Sequence, residues 1–190
     1  YDDRGNKIEV SYFGTDGKPC LSNEGLAKQT FQYDDRGNKI EVSNFGADGK
    51  PCLSNKGWAK WIAQYDDRGN KIEVSYFGTD GKPCLSNEGF AKWTAQYDDR
   101  GNSIEVSYFS ADGKPCLINE GFAKLTAQYD DRGNTIEVSY FSADGKPCLS
   151  NEGFAKLTAQ YDDRGNKIEV SCYGADGKPC LSNEGFAKWT

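Results

Sequence analysis

Apolar and polar residues alternate in two neighbouring segments of this chain. Segment 71–77 reads K-I-E-V-S-Y-F and segment 59–66 reads A-K-W-I-A-Q-Y-D, so that apolar residues occupy alternate positions in each. This alternation is typical of strands with one buried face. The residues between the segments, D-R-G-N, are turn formers, and Gly69 can adopt a positive φ there. The pattern therefore predicts a β-hairpin.

The same alternation predicts the register of the hairpin. A loop of two or four residues keeps the apolar side chains on one face, whereas a three-residue loop sets Tyr65 against Lys71 and mixes the faces. We expect the register that keeps one apolar face. Its pairs are Tyr65 with Ile72, Ala63 with Val74, and Trp61 with Tyr76.

A second turn follows Phe77, where the sequence reads G-T-D-G-K-P-C-L. It resembles a type I turn followed by a glycine bulge, which would fold Pro83 and Cys84 back beside Phe77 and Tyr76. Proline cannot donate to a ladder, so this third strand should be short or at an edge. We expect two long strands and a short return, because three full strands would reverse the chain direction from one unit to the next.

This unit recurs every 32 residues, at 1–32, 33–64, 65–96, 97–128, 129–160 and 161–190. Repeats of this kind bury their apolar faces by stacking on neighbours, so we expect residues 1–190 to form a single array. The predicted fold is all-β, a tandem array of hairpins in an elongated twisted sheet or solenoid. The alternative is a closed six-bladed propeller-like ring. The first and sixth copies look like interior ones, which suggests a fragment of a longer array.

Variation among the copies supports the predicted register. The one polar residue of the first strand column, Gln29, faces the one polar Asn of the second, Asn44. Directly opposed side chains are the unit of sheet stabilisation, so matched changes are expected there. The five predicted pairs are Gln29–Asn44, Trp61–Tyr76, Trp93–Tyr108, Leu125–Tyr140 and Leu157–Cys172.

Six of the seven cysteines recur in one slot: Cys20, Cys52, Cys84, Cys116, Cys148 and Cys180. With two or more strands per repeat, equivalent Cα atoms are more than about 9 Å apart, which is too far for a disulfide. We therefore expect small buried hydrophobes. No copy carries a C-x-x-C motif of a zinc site. The seventh cysteine, Cys172, either pairs with Cys180 on the neighbouring strand or is a neutral variant.

Charge and composition exclude several function classes. The net charge is −6 and no basic patch exists, which argues against a nucleic-acid partner. No apolar run approaches the length of a membrane span, and no signal peptide is visible. There is no histidine, the commonest general base and metal ligand. Aspartate pairs such as Asp66–Asp67 fit turns better than acid–base or calcium sites. We expect no enzyme activity, no cofactor and no metal site.

The four tryptophans are the candidate ligand-binding residues. Trp58, Trp61, Trp93 and Trp189, with tyrosines nearby, could form a platform on which sugars stack. The alternative is a hydrophobic spine that holds the sheet together. Leucine and glutamine fill the slot of Trp61 in other copies, and leucine suits packing better than sugar stacking.

The opening Y-D-x-x-G-N of each unit, seen at 65–70, resembles the YD repeat of bacterial Rhs-type proteins. The E-G-F-A-K and D-G-K elements are similar to those of WG-type repeats, and the hairpin spacing is similar to that of MORN repeats. The YD resemblance implies strips of β-hairpins that wind into shells or stalks of large surface or toxin-delivery proteins. The present unit is longer than the usual YD unit, and its cysteine slot is not part of that pattern.

These observations predict a non-enzymatic structural or interaction scaffold that can associate head to tail through open sheet ends. The alternative is a multivalent carbohydrate- or protein-binding module that gains affinity by avidity. Its compartment stays open: the architecture favours the cell surface or a fibre, whereas free cysteines would favour the cytoplasm.

Overall fold

The computed structural model describes residues 1–190 as one sheet of twelve antiparallel strands whose order along the sheet is the chain order. The strands are β1 (Glu9–Ser11), β2 (Lys28–Tyr33), β3 (Lys39–Phe45), β4 (Lys60–Tyr65), β5 (Lys71–Phe77), β6 (Lys92–Tyr97), β7 (Ser103–Phe109), β8 (Lys124–Tyr129), β9 (Thr135–Phe141), β10 (Lys156–Tyr161), β11 (Lys167–Tyr173) and β12 (Lys188–Trp189). The all-β repeat array is confirmed. Since β1 and β12 end the strand order, the sheet is open, and the alternative of a closed ring is wrong.

The chain divides into two compact units by its internal contacts. Unit 1 consists of residues 1–93 and 110–113, and unit 2 of residues 94–109 and 114–190. Each complete hairpin has one six-residue and one seven-residue strand and spans the boundary between two repeats, as in β4 and β5 of unit 1 and β8 and β9 of unit 2.

The β4–β5 hairpin has the predicted register except beside its turn. Trp61 lies opposite Tyr76, as expected. Tyr65, however, lies opposite Lys71, because a β-bulge shifts the register between Gln64 and Tyr65. The predicted Tyr65–Ile72 pair is therefore wrong. A bulge adds one residue to one strand, and here it lets Lys71 join the aromatic face without moving the rest of the ladder.

The second turn and the short return are confirmed. The N–H of Gly78 donates to the carbonyl of Lys82 at 2.9 Å, and Gly81 has a φ of 76° at the bulge position. Pro83 forms an isolated bridge with Phe77, and the next residue, Cys84, donates its N–H to the carbonyl of Tyr76 at 3.0 Å. The return therefore ends after one bridge, and the chain passes on to the next long strand.

The core of unit 1 lies between the sheet and the loops that join one hairpin to the next. Trp58 sits in such a loop and is only 8% exposed, and Val42 beneath it is also buried. The Trp58 ring lies 6.0 Å from that of Tyr76, which lies 5.7 Å from that of Phe90. Such ring pairs contribute about 0.5–1.5 kcal/mol beyond their buried area.

Unit 2 has the equivalent aromatic core. Phe122 lies 4.7 Å from Tyr140, measured between ring centroids, and Tyr140 lies 5.9 Å from Phe154. The repeated loop aromatics and strand tyrosines therefore form one continuous row within this unit.

None of the seven cysteines forms a disulfide bond in the structure. The six cysteines of the recurring slot are half-buried, so the expectation that they are buried hydrophobes is wrong; Cys172, which lies outside that slot, is fully buried. The structure contains no helix long and apolar enough to span a membrane.

Candidate functional site

A groove on the aromatic face of unit 1 brings together two of the four tryptophans. This first groove has a volume of about 240 Å³. Its lining residues are Glu24, Leu26, Gln29, Phe31, Lys39, Val42, Ser54, Asn55, Lys56, Trp58 and Trp61. The lining comes from two successive loops, which carry Leu26 and Trp58, and from strand residues of β2 to β4.

A second groove lies at equivalent repeat positions of unit 2 and has a volume of about 410 Å³. Its lining residues are Asn151, Glu152, Phe154, Leu157, Lys167, Val170, Cys172, Ser182, Asn183, Glu184, Phe186 and Trp189. Because the same repeat positions line both grooves, the groove is a property of two stacked repeats.

The tryptophans differ in how far they are available to a ligand. Trp58 is buried against Tyr76 and therefore packs in the core. Trp61 is half-buried in β4, opposite Tyr76 on one side and Val42 on the other. Trp189 in β12 of unit 2 is 39% exposed. The structure thus places Trp61 and Trp189 in separate grooves and gives Trp58 a packing position.

Trp93 is half-buried in β6. Burial raises the pKa of the Tyr76 hydroxyl, and a side-chain hydrogen bond with Trp93 offsets part of that rise. The indole N–H of Trp93 is therefore engaged with a neighbouring strand of unit 1, as expected for an indole in a packed sheet.

Beside the first groove, the lysines that lie opposite the bulged tyrosines cover aromatic rings. The Lys39 ammonium lies 4.4 Å from the ring centroid of Phe31, and the Lys71 ammonium lies 5.2 Å from that of Trp61. Burial, followed by the charge of Lys39, lowers the pKa of Lys71. The two ammonium groups therefore form a cationic edge in an otherwise acidic chain.

The predicted polar pair of the first groove is confirmed. Nε2 of Gln29 donates to Oδ1 of Asn44 at 2.8 Å, and Asn44 is 0% exposed. Nδ2 of Asn44 donates to the backbone carbonyl of Trp58 at 3.2 Å, so this amide also fixes the loop above the sheet. The equivalent pair in unit 2, Leu157 opposite Cys172, is likewise in the predicted register.

At the hairpin turns, arginines join neighbouring repeats within each unit. Nη1 of Arg4 donates to the carbonyl of Asp35 at 2.6 Å, and Nη1 of Arg36 donates to that of Asp67 at 2.7 Å. The hydroxyl of Tyr65 donates in the opposite direction, to the carbonyl of Lys39 at 2.9 Å. Sequence reasoning missed these bonds, although a long donor and a tyrosine beside every turn were the available signal.

At the return loops, asparagines and cysteines join the repeats. Nδ2 of Asn87 donates to the carbonyl of Asn55 at 2.7 Å. The thiol of Cys84 makes a weak hydrogen bond, 3.7 Å long, to the carbonyl of Gly57. Unit 2 repeats both contacts, and there Asn151 donates to the carbonyl of Asn119. The cysteine slot is therefore a contact between repeats.

Asp66 has the structural role in the turn that its sequence context predicts. Its carboxylate accepts hydrogen bonds from the N–H groups of Arg68 and Asn70, at 2.9 and 2.8 Å, and from Nδ2 of Asn70 at 2.9 Å. The Asn70 side-chain bond is the main cause of the lowered pKa of Asp66. No group of three or more acidic, cysteine or histidine side chains is placed to hold a metal ion.

Each return segment also exposes one leucine, which sequence reasoning missed. The exposed fractions lie between 50% and 65%. These residues are Leu21, Leu53 and Leu85 in unit 1, and Leu117, Leu149 and Leu181 in unit 2. The P-C-L pattern was the available signal, since adjacent residues of an extended segment point to opposite faces.

No protein-family model matches the chain. No curated protein sequence matches it either.

Similar solved structures include crystal structures of TcdB2-TccC3 and of TcdB2-TccC3-Cdc42. The first is 15% identical, with a TM-score of 0.41, over 95% of this chain and 10% of that chain. The second is 15% identical, with a TM-score of 0.40, over 95% of this chain and 9% of that chain. A structure of the Photorhabdus luminescens Tc holotoxin pore is 15% identical, with a TM-score of 0.31, over 83% of this chain and 9% of that chain. This chain spans about a tenth of the length of these neighbours. The structural likeness is loose, and so is the resemblance of its motifs to YD repeats.

Proposed function

We propose that this chain is a non-enzymatic repeat scaffold that presents repeated surfaces to protein partners and associates head to tail. The proposal rests on the hydrogen bonds that polar side chains make from one repeat to its neighbour. Arg36 and Tyr65 bond neighbouring repeats at the turns, and Asn87 and Cys84 bond them at the return loops. Side chains used in this way stabilise the stack.

The absence of an enzymatic role is part of the proposal. A catalytic base needs a proton acceptor held near a substrate. The carboxylate of Asp66 accepts three bonds within its own turn, and Oδ1 of Asp67 lies 3.3 Å from Nη2 of Arg36. These contacts support a structural use of the acidic residues.

Head-to-tail association would extend the pairing of neighbouring strands from one copy of the chain to the next. Within unit 1, Trp61 of β4 pairs with Tyr76 of β5. In an assembly that continues this register, Trp189 of one copy would pair with Tyr12 of another. Both side chains are 39% exposed, so the contact would bury apolar surface.

The test is sedimentation velocity and electron microscopy of the 190-residue chain over a concentration series. We expect rods that lengthen with concentration, and we expect Trp189→Asp to abolish them. Leu181→Asp is the matched control, because it places the same charge on an exposed apolar residue away from the strand edge. Monomers at every concentration would contradict association. Loss of rods in the control alone would show contact through the leucines and contradict the head-to-tail arrangement.

A second candidate function is multivalent carbohydrate binding, favoured by the two equivalent grooves. Trp61 lines the first and Trp189 lines the second, and weak sites on one chain add by avidity. The probe is an array of neutral and uronic-acid oligosaccharides. Trp61→Leu should keep the fold, since leucine fills this slot at Leu125, and should lower binding several-fold. Combining it with Trp189→Leu should lower binding further. Binding that is unchanged in the double variant would exclude the grooves.

A further inference from the structure

The sixth repeat holds two cysteines directly opposite each other. Tyr173 forms a bridge with Pro179, so the preceding and following residues, Cys172 and Cys180, are the next opposed pair. The N–H of Cys180 donates to the carbonyl of Cys172 at 3.1 Å. Opposed residues of an antiparallel pair project their side chains to the same face.

This arrangement lies within reach of a disulfide bond. Opposed residues of an antiparallel pair have Cα atoms about 4.5–5.5 Å apart, inside the range of about 4.4–6.8 Å found in disulfides. Cys172 and Cys180 share one backbone hydrogen bond, because the N–H of Cys172 donates to the carbonyl of Ala187. Neither cysteine forms a disulfide bond in the structure. In the fifth repeat the same position opposite Cys148 holds Tyr140, whose carbonyl accepts the N–H of Cys148 at 3.1 Å.

The two thiols differ in accessibility. Cys172 is 0% exposed, whereas Cys180 is half-buried. Burial raises the pKa of Cys172, and the neighbouring Cys180 raises it further. Cys180 is therefore the thiol that an outside reagent meets first.

We propose that Cys172 and Cys180 form a thiol–disulfide exchange site whose co-reactant is a small-molecule disulfide. The Cys180 thiolate attacks the small disulfide, forming a mixed disulfide and releasing one small thiolate. The released small thiolate takes the proton of the Cys172 thiol, and the Cys172 sulfur attacks the Cys180 sulfur and releases the second small thiolate. The protein dithiol is oxidised by two electrons, and the small disulfide is reduced to two thiols.

Oxidation has a structural consequence at the contact between repeats. The Cys180 thiol lies 3.7 Å from the carbonyl of Gly153 in the fifth repeat. A disulfide to Cys172 removes the hydrogen that makes this contact, so the return loop of the sixth repeat becomes covalently closed while one bond to its neighbour is lost.

The test is incubation of the full chain in buffers of increasing ratio of oxidised to reduced glutathione. Remaining thiols are alkylated, and the chain is cleaved before aspartate. Cleavage before Asp176 separates the two cysteines unless a disulfide joins them. We expect the joined peptides, with the other five of the seven cysteines alkylated.

Two variants control the experiment. Cys172→Tyr restores the residue of the fifth repeat, and the leucine–tyrosine pairing that it creates with Leu157 already occurs as Leu125 opposite Tyr140. Cys172→Ser serves if the tyrosine variant does not fold. In both, Cys180 should end as an alkylated thiol or a glutathione mixed disulfide. Wild-type chain that gives only a Cys180–glutathione adduct, or joins Cys180 to another cysteine, would overturn the proposal.

Discussion

The two grooves have the same backbone but differ in the side chains that line them. Gln29 of the first groove bonds to the buried amide of Asn44, whereas Leu157 of the second groove lies opposite Cys172 at the same positions. Lys56 on the loop of the first groove is replaced by Glu184 on that of the second. The comparison teaches that repeat stacking fixes which positions line the groove, while a few of these positions set its polarity and charge.

The cationic edge also differs between the grooves. Lys39 and Lys71 occupy successive repeats beside the first groove, and both cover aromatic rings. Beside the second groove, Lys167 follows Thr135 of the preceding repeat. An anionic ligand therefore meets two neighbouring lysines only in unit 1.

The largest expected effect comes from breaking a contact between successive return loops that occurs in both units. A Cβ atom on Gly57 would lie 2.6 Å from Oδ1 of Asn87, at a φ of 88°. Gly153 faces Asn183 in the same way, at 2.7 Å. We expect Gly57→Ala and Gly153→Ala each to lower the free energy of unfolding by about 2–3 kcal/mol, from αL strain and the clash.

Urea unfolding measures this effect. Gly49→Ala is the control, because its Cβ would meet nothing within 4 Å and the change carries only the strain of a positive φ. Equal losses for Gly49 and Gly57 would show that contact with the neighbouring repeat is unimportant.

The next largest effect is expected at the polar pair Gln29–Asn44, which is replaced in two steps by the leucine–cysteine pair found in unit 2. Asn44→Ala should lower the free energy of unfolding by about 2 kcal/mol, because it removes a buried amide and leaves the half-buried amide of Gln29 without its acceptor. The double variant Gln29→Leu, Asn44→Cys should recover most of this loss. A double-mutant cycle in urea checks the coupling. Additive losses would mean that the pair is not a unit.

A smaller effect concerns the cationic edge. Lys39→Thr, the residue found at Thr135, should raise the pKa of Lys71, since the charge of Lys39 contributes to its depression. NMR titration of the lysine side chain measures the change. A pKa depressed in the folded state means that charged Lys71 opposes folding at neutral pH. This opposition is lost as the pH rises through the folded pKa towards the unfolded value of about 10.4. An unchanged pKa of Lys71 in the variant would leave burial as the sole cause.

The smallest effect is expected at Lys56, on the loop that lines the first groove. Lys56 is exposed, so Lys56→Glu should change the melting temperature by no more than about 2 °C while giving the first groove the loop charge of the second. Thermal unfolding by circular dichroism measures it. A large loss would show that Lys56 stabilises the loop in a way that Glu184 does not.

Much of one repeat could be predicted from its sequence. Alternation and turn residues gave the β4–β5 hairpin and the return at Pro83, and variation among copies gave the Gln29–Asn44 pair. The bulge at Tyr65 was missed, because face parity treats lysine as polar. Its long stem can lie on an apolar face while the ammonium covers a ring.

By itself the sequence determined the strands, the turns and the number of repeats, since these depend on residues close together in the chain. Only the tertiary structure decided which side chains join the repeats, and that Leu53 faces solvent while Cys52 contacts Gly25 of the preceding repeat. It also decided that, of the two tryptophans that line the first groove, Trp58 is buried while Trp61 is half-buried. The reason is physical: local periodicity fixes the face of a residue within its own repeat, whereas contacts between repeats depend on how far one hairpin is displaced from the next.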